Sequence, residues 1–464
     1  MTDQPSPTSP KGSPPNFSFF TPRRSAGMKL LLVCALAVLM IIPALLVYGV
    51  VHERSSGLQL AITEVGESVG GQQTVLGPVL AVPYSQTPDP NKPDSVVYGM
   101  AIAFAETGAA DANVSVEERR RGIHTIPVFD AMLGFSATFD PGALRRAIPA
   151  NAEAIWGDAR LYTGVSDTRG IKDVIHVTAN GQTIAMEPTN YRASQSGYDA
   201  VPYAGVVLAG GRIPNLANEE RLIEVTASLH LTGAQRLAVG PFAKDTRFDM
   251  VSNWPSPSFG GGVLPDAHNI GDSETGFEAE WRVPYMARGI AGAGANLDLQ
   301  MVTQWNNRDM AVRFIKEASP YQSVERALKY AAMFIGFVFL AYFLFEITSG
   351  ARAHPAQYVL VGLAQSIFYL LLLSFSERVG FDFAFIVAAI MTVGLTSYYA
   401  MSVFKSRQYG LRALGVMSGI YTLIYILMRA EGHALLAGAV ASFVAIALTM
   451  YMTRDVDWYG SQND

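Results

Sequence analysis

Four predominantly apolar stretches of this chain run for 20 residues or more without a charge, and they settle the class of fold first. A bilayer core about 30 Å thick is crossed by roughly 20 apolar helical residues at about 1.5 Å each. Leu30–Val51, Pro355–Ser376 and Phe383–Phe404 hold 22 residues each, and Ala434–Thr453 holds 20. Two runs of 16 lie among them: Tyr330–Phe345, between Lys329 and Glu346, and Ala413–Met428, between Arg412 and Arg429. A lone 16-residue run reads as a buried core helix. Interleaved with full-length runs, and with flanking side chains able to snorkel, both read as spans. The chain is expected to cross a membrane six times.

Composition agrees. Hydrophobic residues make up 50% of the 464 and charged residues 16%, against a globular norm of about 25%. The mean hydropathy is +0.22, so the chain is too apolar to stay disordered. One cysteine, Cys34, excludes an internal disulfide framework. A net charge of −5 and a pI near 5.9 give no reason to expect nucleic acid.

Lys and Arg in the short loops set the orientation. On one side lie Lys11, Arg23, Arg24, Lys29, Arg352, Lys405, Arg407, Arg412 and Arg454; on the other, only Arg378 and Arg429, each beside an acid. Nine against two puts both termini in the cytoplasm and exports everything between the first two spans. The first run could be a cleaved signal, and Arg23-Arg24 faintly resembles a twin-arginine signal. However, a signal core is about 7–15 apolar residues before a small-residue cleavage site. Val47–His52 has no such site, and an uncleaved anchor fits better. Pro43 is expected to kink this span, because proline removes a helical hydrogen bond.

The divisions read from the sequence are a Pro- and Ser-rich disordered leader (1–27), a signal anchor (28–51), an exported domain (52–326), a five-helix bundle (327–453) and a cytoplasmic tail (454–464). His52–Arg326 carries 31 acids against 22 basic residues, unlike the basic cytoplasmic side. Its pattern is mainly β. Asp173–Pro188 reads as two strands around Asn180-Gly181, the strongest two-residue hairpin signal. Val96–Phe104, Gly134–Phe139, Leu222–Leu231, Phe277–Val283 and Leu297–Gln304 read as further strands, with Gly and Pro between them. A sandwich-like domain is expected. Leu58–Val69 is compatible with a short helix leaving the membrane.

No motif in the exported region commits to chemistry. Gly66-Glu67-Ser68-Val69-Gly70 matches the nucleophile-elbow pattern, which needs a strand before the serine and a helix after it. Gly71–Pro78 will not start a helix, and none of His124, His176 or His230 is singled out by spacing, so a flexible juxtamembrane linker is the simpler reading. The seven histidines are scattered, without the close ligand pairs of zinc sites. Gly260-Gly261-Gly262 lacks the Lys and Ser/Thr of a phosphate loop and reads as a turn. Glu117–Arg121 could hold an acidic ligand, although a solvated strand edge explains it as well. Lys329, Glu346 and Asp382 lie at span ends, where anchoring accounts for them. The small residues Ala437, Gly438, Ala439 and Ala441 suit close helix packing. No catalytic residue, metal site or cofactor is expected. The expected partners are the lipid bilayer and a periplasmic protein or wall component.

Several longer stretches are specific. They include Gly77–Pro83, Val116–Arg119, Ser166–Ile171, Ser252–Phe259, Glu274–Phe277, Phe345-Glu346, His354–Tyr358, Ser376-Glu377 and Arg454–Tyr459. On these the chain resembles the CreD family of bacterial inner-membrane proteins, also called cell envelope integrity proteins, from about Met28 to Tyr459. The resemblance implies a Gram-negative inner-membrane protein with a large periplasmic domain, associated with envelope integrity and the β-lactam response. It supplies no catalytic residues. Two functions remain open: a non-enzymatic envelope protein that binds or scaffolds a component, and a membrane-anchored enzyme acting on lipid, peptide or wall substrates.

Overall fold

The computed structural model describes residues 26–87, 96–122, 124–189, 207–271, 275–295, 308–314, 320–429, 434–456 and 458. The chain forms two compact units, Met1–Ser55 with Ala318–Asp464, and Ser56–Glu317. Residues 1–25 of the leader and the Leu297–Gln304 run fall outside the described residues, and the leader's last two residues, Ala26 and Gly27, begin the first helix.

Six segments among the described residues are long and apolar enough to cross a membrane. The first comprises α1 (Ala26–Leu39) and α2 (Ile41–Val69). The break between them falls at Met40, ahead of Pro43. The proline ring would clash with the Leu39 carbonyl four residues back, and proline offers that carbonyl no N–H. A short helix, α5 (Pro320–Lys329), precedes α6 (Ala331–Ser349), α7 (Pro355–Val379), α8 (Phe381–Val403), α9 (Arg407–Arg429) and α10 (Ala434–Thr453). Phe368 of α7 sets the spacing of three helices, with ring centroids 5.6 Å from Phe385 on α8 and 4.8 Å from Tyr421 on α9. Tyr421 donates its buried hydroxyl to Gln365 at 2.7 Å. The start of α7 explains one of the specific stretches. The His354 imidazole accepts from the Ala356 N–H, Gln357 accepts from the His354 N–H, and Pro355 occupies the first helical position. That is a capping box with a proline whose missing N–H costs nothing.

The second unit is two β-sheets over one core. The sheet with more residues in its strands, and in that sense the larger, has eight strands against the other's ten; it runs β15 (Ala267–Ile270), β16 (Phe277–Val283), β13 (Ala243–Ser252), β3 (Ala105–Arg121), β4 (His124–Phe139), β11 (Ile223–Ala234), β7 (His176–Ala179) and β8 (Gln182–Ile184). The other runs β14 (Pro257–Gly261), β18 (Met310–Phe314), β12 (Arg236–Gly240), β1 (Gln73–Gln86), β6 (Arg160–Val165), β10 (Val207–Arg212) and β9 (Glu187–Thr189). There β2 (Val97–Ala103) and β5 (Ala152–Ala154) also pair with β1, and β17 (Ala293–Ala295) pairs with β2. Helices α3 (Pro141–Ala147) and α4 (Tyr285–Arg288) lie between strands.

Among the described residues the strand signals appear where expected. Phe277–Val283 is β16, alternating buried and exposed at every step. Asn180 (φ 47°) and Gly181 (φ 79°) turn β7 into β8, the two positive φ values of a type I′ hairpin. One hydrophobic cluster draws on both sheets. Phe242, fully buried, is its wedge. A Cβ on Gly77 of β1 would sit 2.5 Å from its ring, and one on Gly108 of β3 2.6 Å away. Both sheets therefore need glycine where this ring passes, and Phe135 meets it edge-on at 5.4 Å.

The segment around Ser68 is not a flexible linker. It is the last turn of α2, and Ala61, Val65 and Val69 pack on Ile126, Val128 and Ala234 of the larger sheet. Gln73, wholly buried, donates to the carbonyls of Gly70 (2.8 Å) and Asp167 (2.9 Å). Ser166 accepts from the Thr74 N–H at 2.9 Å. Glycine freedom ends the helix, with Gly70 at φ 99° and Gly71 at φ 60°, and the apolar run that follows must be buried as a strand.

Candidate functional site

The most site-like feature of the β domain is the outer face of its larger sheet. Strand alternation sends every second side chain there, and the register aligns them. Arg282, Arg247, Ala109, Ser136 and Thr226 form one row across five strands. Asp245, Thr107, Thr138 and Glu224 form the adjacent row. Small side chains in the middle leave a trough of about 560 Å³ between taller charged walls, including Asp266 and Glu280. Its floor is hydroxyl-rich, and its walls carry both signs of charge.

The walls are held by ion pairs. Arg282 reaches Asp245 at 2.8 Å, and Arg247 reaches Asp249 at 3.0 Å. The hydrogen bond from Arg282 holds the Asp245 carboxyl below its ordinary range. A depressed carboxylate pKa adds stability above the unfolded pKa of about 3.9, and that stability is lost as pH falls through the folded value. Arg282→Ala should therefore raise the Asp245 pKa toward the ordinary value and remove both this stabilisation and its loss in acid. Carboxyl ¹³C titration reads it directly; an Asp245 pKa that does not move would refute the pairing.

The structure separates the residues of the sequence motif. Ser68 lies in the last turn of a helix that leads into a strand, the reverse of a nucleophile elbow, and its hydroxyl is donated to the Val65 carbonyl at 2.7 Å. His124 approaches α2 at Gly57, 11 residues before Ser68 and hence about 16 Å away along the helix. His230 pairs with Asp130 at 2.8 Å, and His176 lies on β7. Among the described residues no group of three or more His, Cys, Asp and Glu is placed to hold a metal. Gly260 and Gly261 are not a turn but the end of β14, paired with β18, where Gly261 (φ 87°) lies against Asp309. Glu117–Arg121 pairs with β4 alone, an exposed edge, and Arg121 reaches Glu64 at 2.5 Å.

Several of the specific stretches are structural joints. Asn253 accepts from the Val116 N–H at 2.7 Å and donates to the Val116 carbonyl at 3.2 Å, so its amide continues the β3–β13 pairing where β13 ends. The Arg169 guanidinium holds the Asp167 carboxyl below its usual range, next to the Gln73 node. Arg288 is fully buried with its guanidinium 3.6 Å from the Phe104 ring centroid, and among the described residues its side-chain nitrogens have no hydrogen-bond partner. Burial pulls its pKa down to about 10.

In the helical unit one residue departs from the sequence reading. Glu346 is not an exposed anchor but is 4% exposed. It accepts from Lys29 at 2.8 Å, from the Tyr358 hydroxyl at 3.0 Å and from the Ala353 N–H at 3.0 Å. The loop into α7 folds back over the last turn of α6 and supplies one of those donors, Ala353, and the first turn of α7 supplies another, Tyr358. The signal was the pairing of Phe345-Glu346 with His354–Tyr358 among the specific stretches. Asp382, by contrast, lies at a helix end and pairs with Arg429 in an exposed position.

These features define a multi-pass membrane protein with a large two-sheet domain inserted between its first span and the remaining five. A family model described as "Inner membrane protein CreD" matches residues 25–459. The inner membrane protein CreD of Escherichia coli (strain K12) is 32% identical over 433 residues, covering 91% of each chain. The chain belongs to the CreD family and is a multi-pass protein of the inner membrane.

Proposed function

We propose that the β domain faces the periplasm, with both termini cytoplasmic, and holds a polar envelope component in the trough of its larger sheet. The role is binding or scaffolding rather than catalysis, and it supports envelope integrity under β-lactam stress. The observation that carries this reading is the trough itself. Hydroxyls of Thr107, Ser136, Thr138 and Thr226 with paired Arg and Asp walls suit a ligand rich in hydroxyl, carboxylate and amino groups, the chemistry of wall glycopeptide. The nine-to-two asymmetry of loop charges supports the orientation.

Two experiments test it. Alkaline phosphatase fused after Arg326 should be active, and fused after Arg352 or Arg412 inactive; activity at Arg412 would overturn the orientation. In cells lacking the chain, growth under a β-lactam should be restored by wild type and by Ser68→Ala, but not by Ser136→Trp, which fills the trough from an exposed position. Full rescue by Ser136→Trp would remove the trough from the function. Failure of Ser68→Ala alone would restore the enzyme reading.

A further inference from the structure

Helix α10 does not close against its neighbours along its whole length. Ser442 donates to the Met333 sulfur at 3.3 Å, and Gly438 faces the same side chain. On the adjoining face, Ala437, Ala441 and Ala445 look across a gap toward Phe345 of α6 and Val416 and Gly419 of α9. The resulting groove holds about 880 Å³ and is lined almost wholly by apolar side chains. Small residues normally let membrane helices approach closely. Here they leave room instead.

One end of the groove is cationic. Arg412 is the charged residue among its lining, and a chain of aromatic contacts fixes it there. Phe345 meets Tyr409 at 6.2 Å, and the Arg412 guanidinium lies 5.0 Å from the Tyr409 ring centroid. Short connections place the α7 start, the α9 start and the α10 end together, so Lys405, Arg407 and Arg454 belong to this same end. Arg454 is paired with Asp455, and Glu346 is taken by Lys29. Among the described residues Lys405, Arg407 and Arg412 have no carboxylate within ion-pair distance.

We infer that this groove binds an anionic phospholipid, with its acyl chains between α6, α9 and α10 and its phosphate at Arg412. The dimensions fit. From Met452 to Leu436 the groove follows α10 for about 24 Å, more than the roughly 15 Å of hydrocarbon in one leaflet. Basic pockets between helices favour anionic headgroups at about 1 kcal/mol per cation, or about fivefold in affinity. This inference is independent of the trough.

The test uses the full chain, purified and equilibrated with equal amounts of phosphatidylglycerol and phosphatidylethanolamine of identical acyl chains. Bound lipid is counted by native mass spectrometry. Wild type should retain phosphatidylglycerol about fivefold or more over phosphatidylethanolamine. Arg412→Gln should bring that ratio close to one, and Arg412→Lys should keep most of it. Val440→Trp, which fills the groove, should reduce retention of both lipids. The inference is overturned if Arg412→Gln keeps the preference or if Val440→Trp leaves retention unchanged. It is equally overturned if wild type carries no lipid and is a dimer that Val440→Trp dissociates, since a second copy would then occupy the groove.

Discussion

Phe242→Ala should cost the β domain about 3–5 kcal/mol, the range for truncating a fully buried phenylalanine. The ring is wholly excluded from solvent and touches both sheets, through Gly77 on one and Gly108 on the other. Its loss opens a void where neither backbone has a side chain to refill it. Gly108→Val should destabilise for the opposite reason, by about 1–3 kcal/mol, because a Cβ there begins 2.6 Å from the ring. The double change should cost less than the sum of the two, since valine partly fills the space the ring leaves. Thermal unfolding of the full chain in detergent, followed by near-UV dichroism, gives all three values. Strict additivity would mean that Phe242 does not wedge the sheets.

The second large effect lies in the helical unit. Glu346→Leu should destabilise by several kcal/mol, because it leaves the Tyr358 hydroxyl and the Ala353 N–H unpaired at about 1–3 kcal/mol each. Lys29→Leu should also destabilise, by stranding a buried carboxylate. Removing one partner of a buried pair costs about 3–5 kcal/mol, and the value here should be at the lower end because the Lys29 side chain is 32% exposed. The triple change Lys29→Leu, Glu346→Leu and Tyr358→Phe should recover part of the loss, since it leaves only the Ala353 N–H without its partner. Measured by steric-trap unfolding in bicelles, a triple variant less stable than either single one would show that the network does more than satisfy itself.

The spans were legible because a bilayer imposes a length and forbids charge, and both can be counted along the chain. The Asn180-Gly181 turn and the Phe-Glu-Ala-Glu-Trp-Arg-Val alternation of β16 were legible because each is set by neighbours within a few residues. β1 was not, since it is buried on both faces and shows no alternation to read. β3 escaped for another reason. Its first half, Ala105–Asn113, is mostly alanine, glycine and acids, poor strand formers taken singly. It becomes a strand by pairing with β4 on one side and, in parallel, with the distant β13 on the other.

The sequence by itself thus determined the membrane class, the count of spans and the mainly β character of the inserted domain, all set by local chemistry. Only the tertiary structure decided where the sites lie. The trough needs five strands in register, drawn from residues between Thr107 and Arg282, and no local spacing encodes that register. The same holds for Glu346. At the end of an apolar run an acid reads as an anchor facing water. It becomes a buried acceptor because the loop ahead of α7 folds back over it and Lys29, 317 positions away, is brought to its carboxylate.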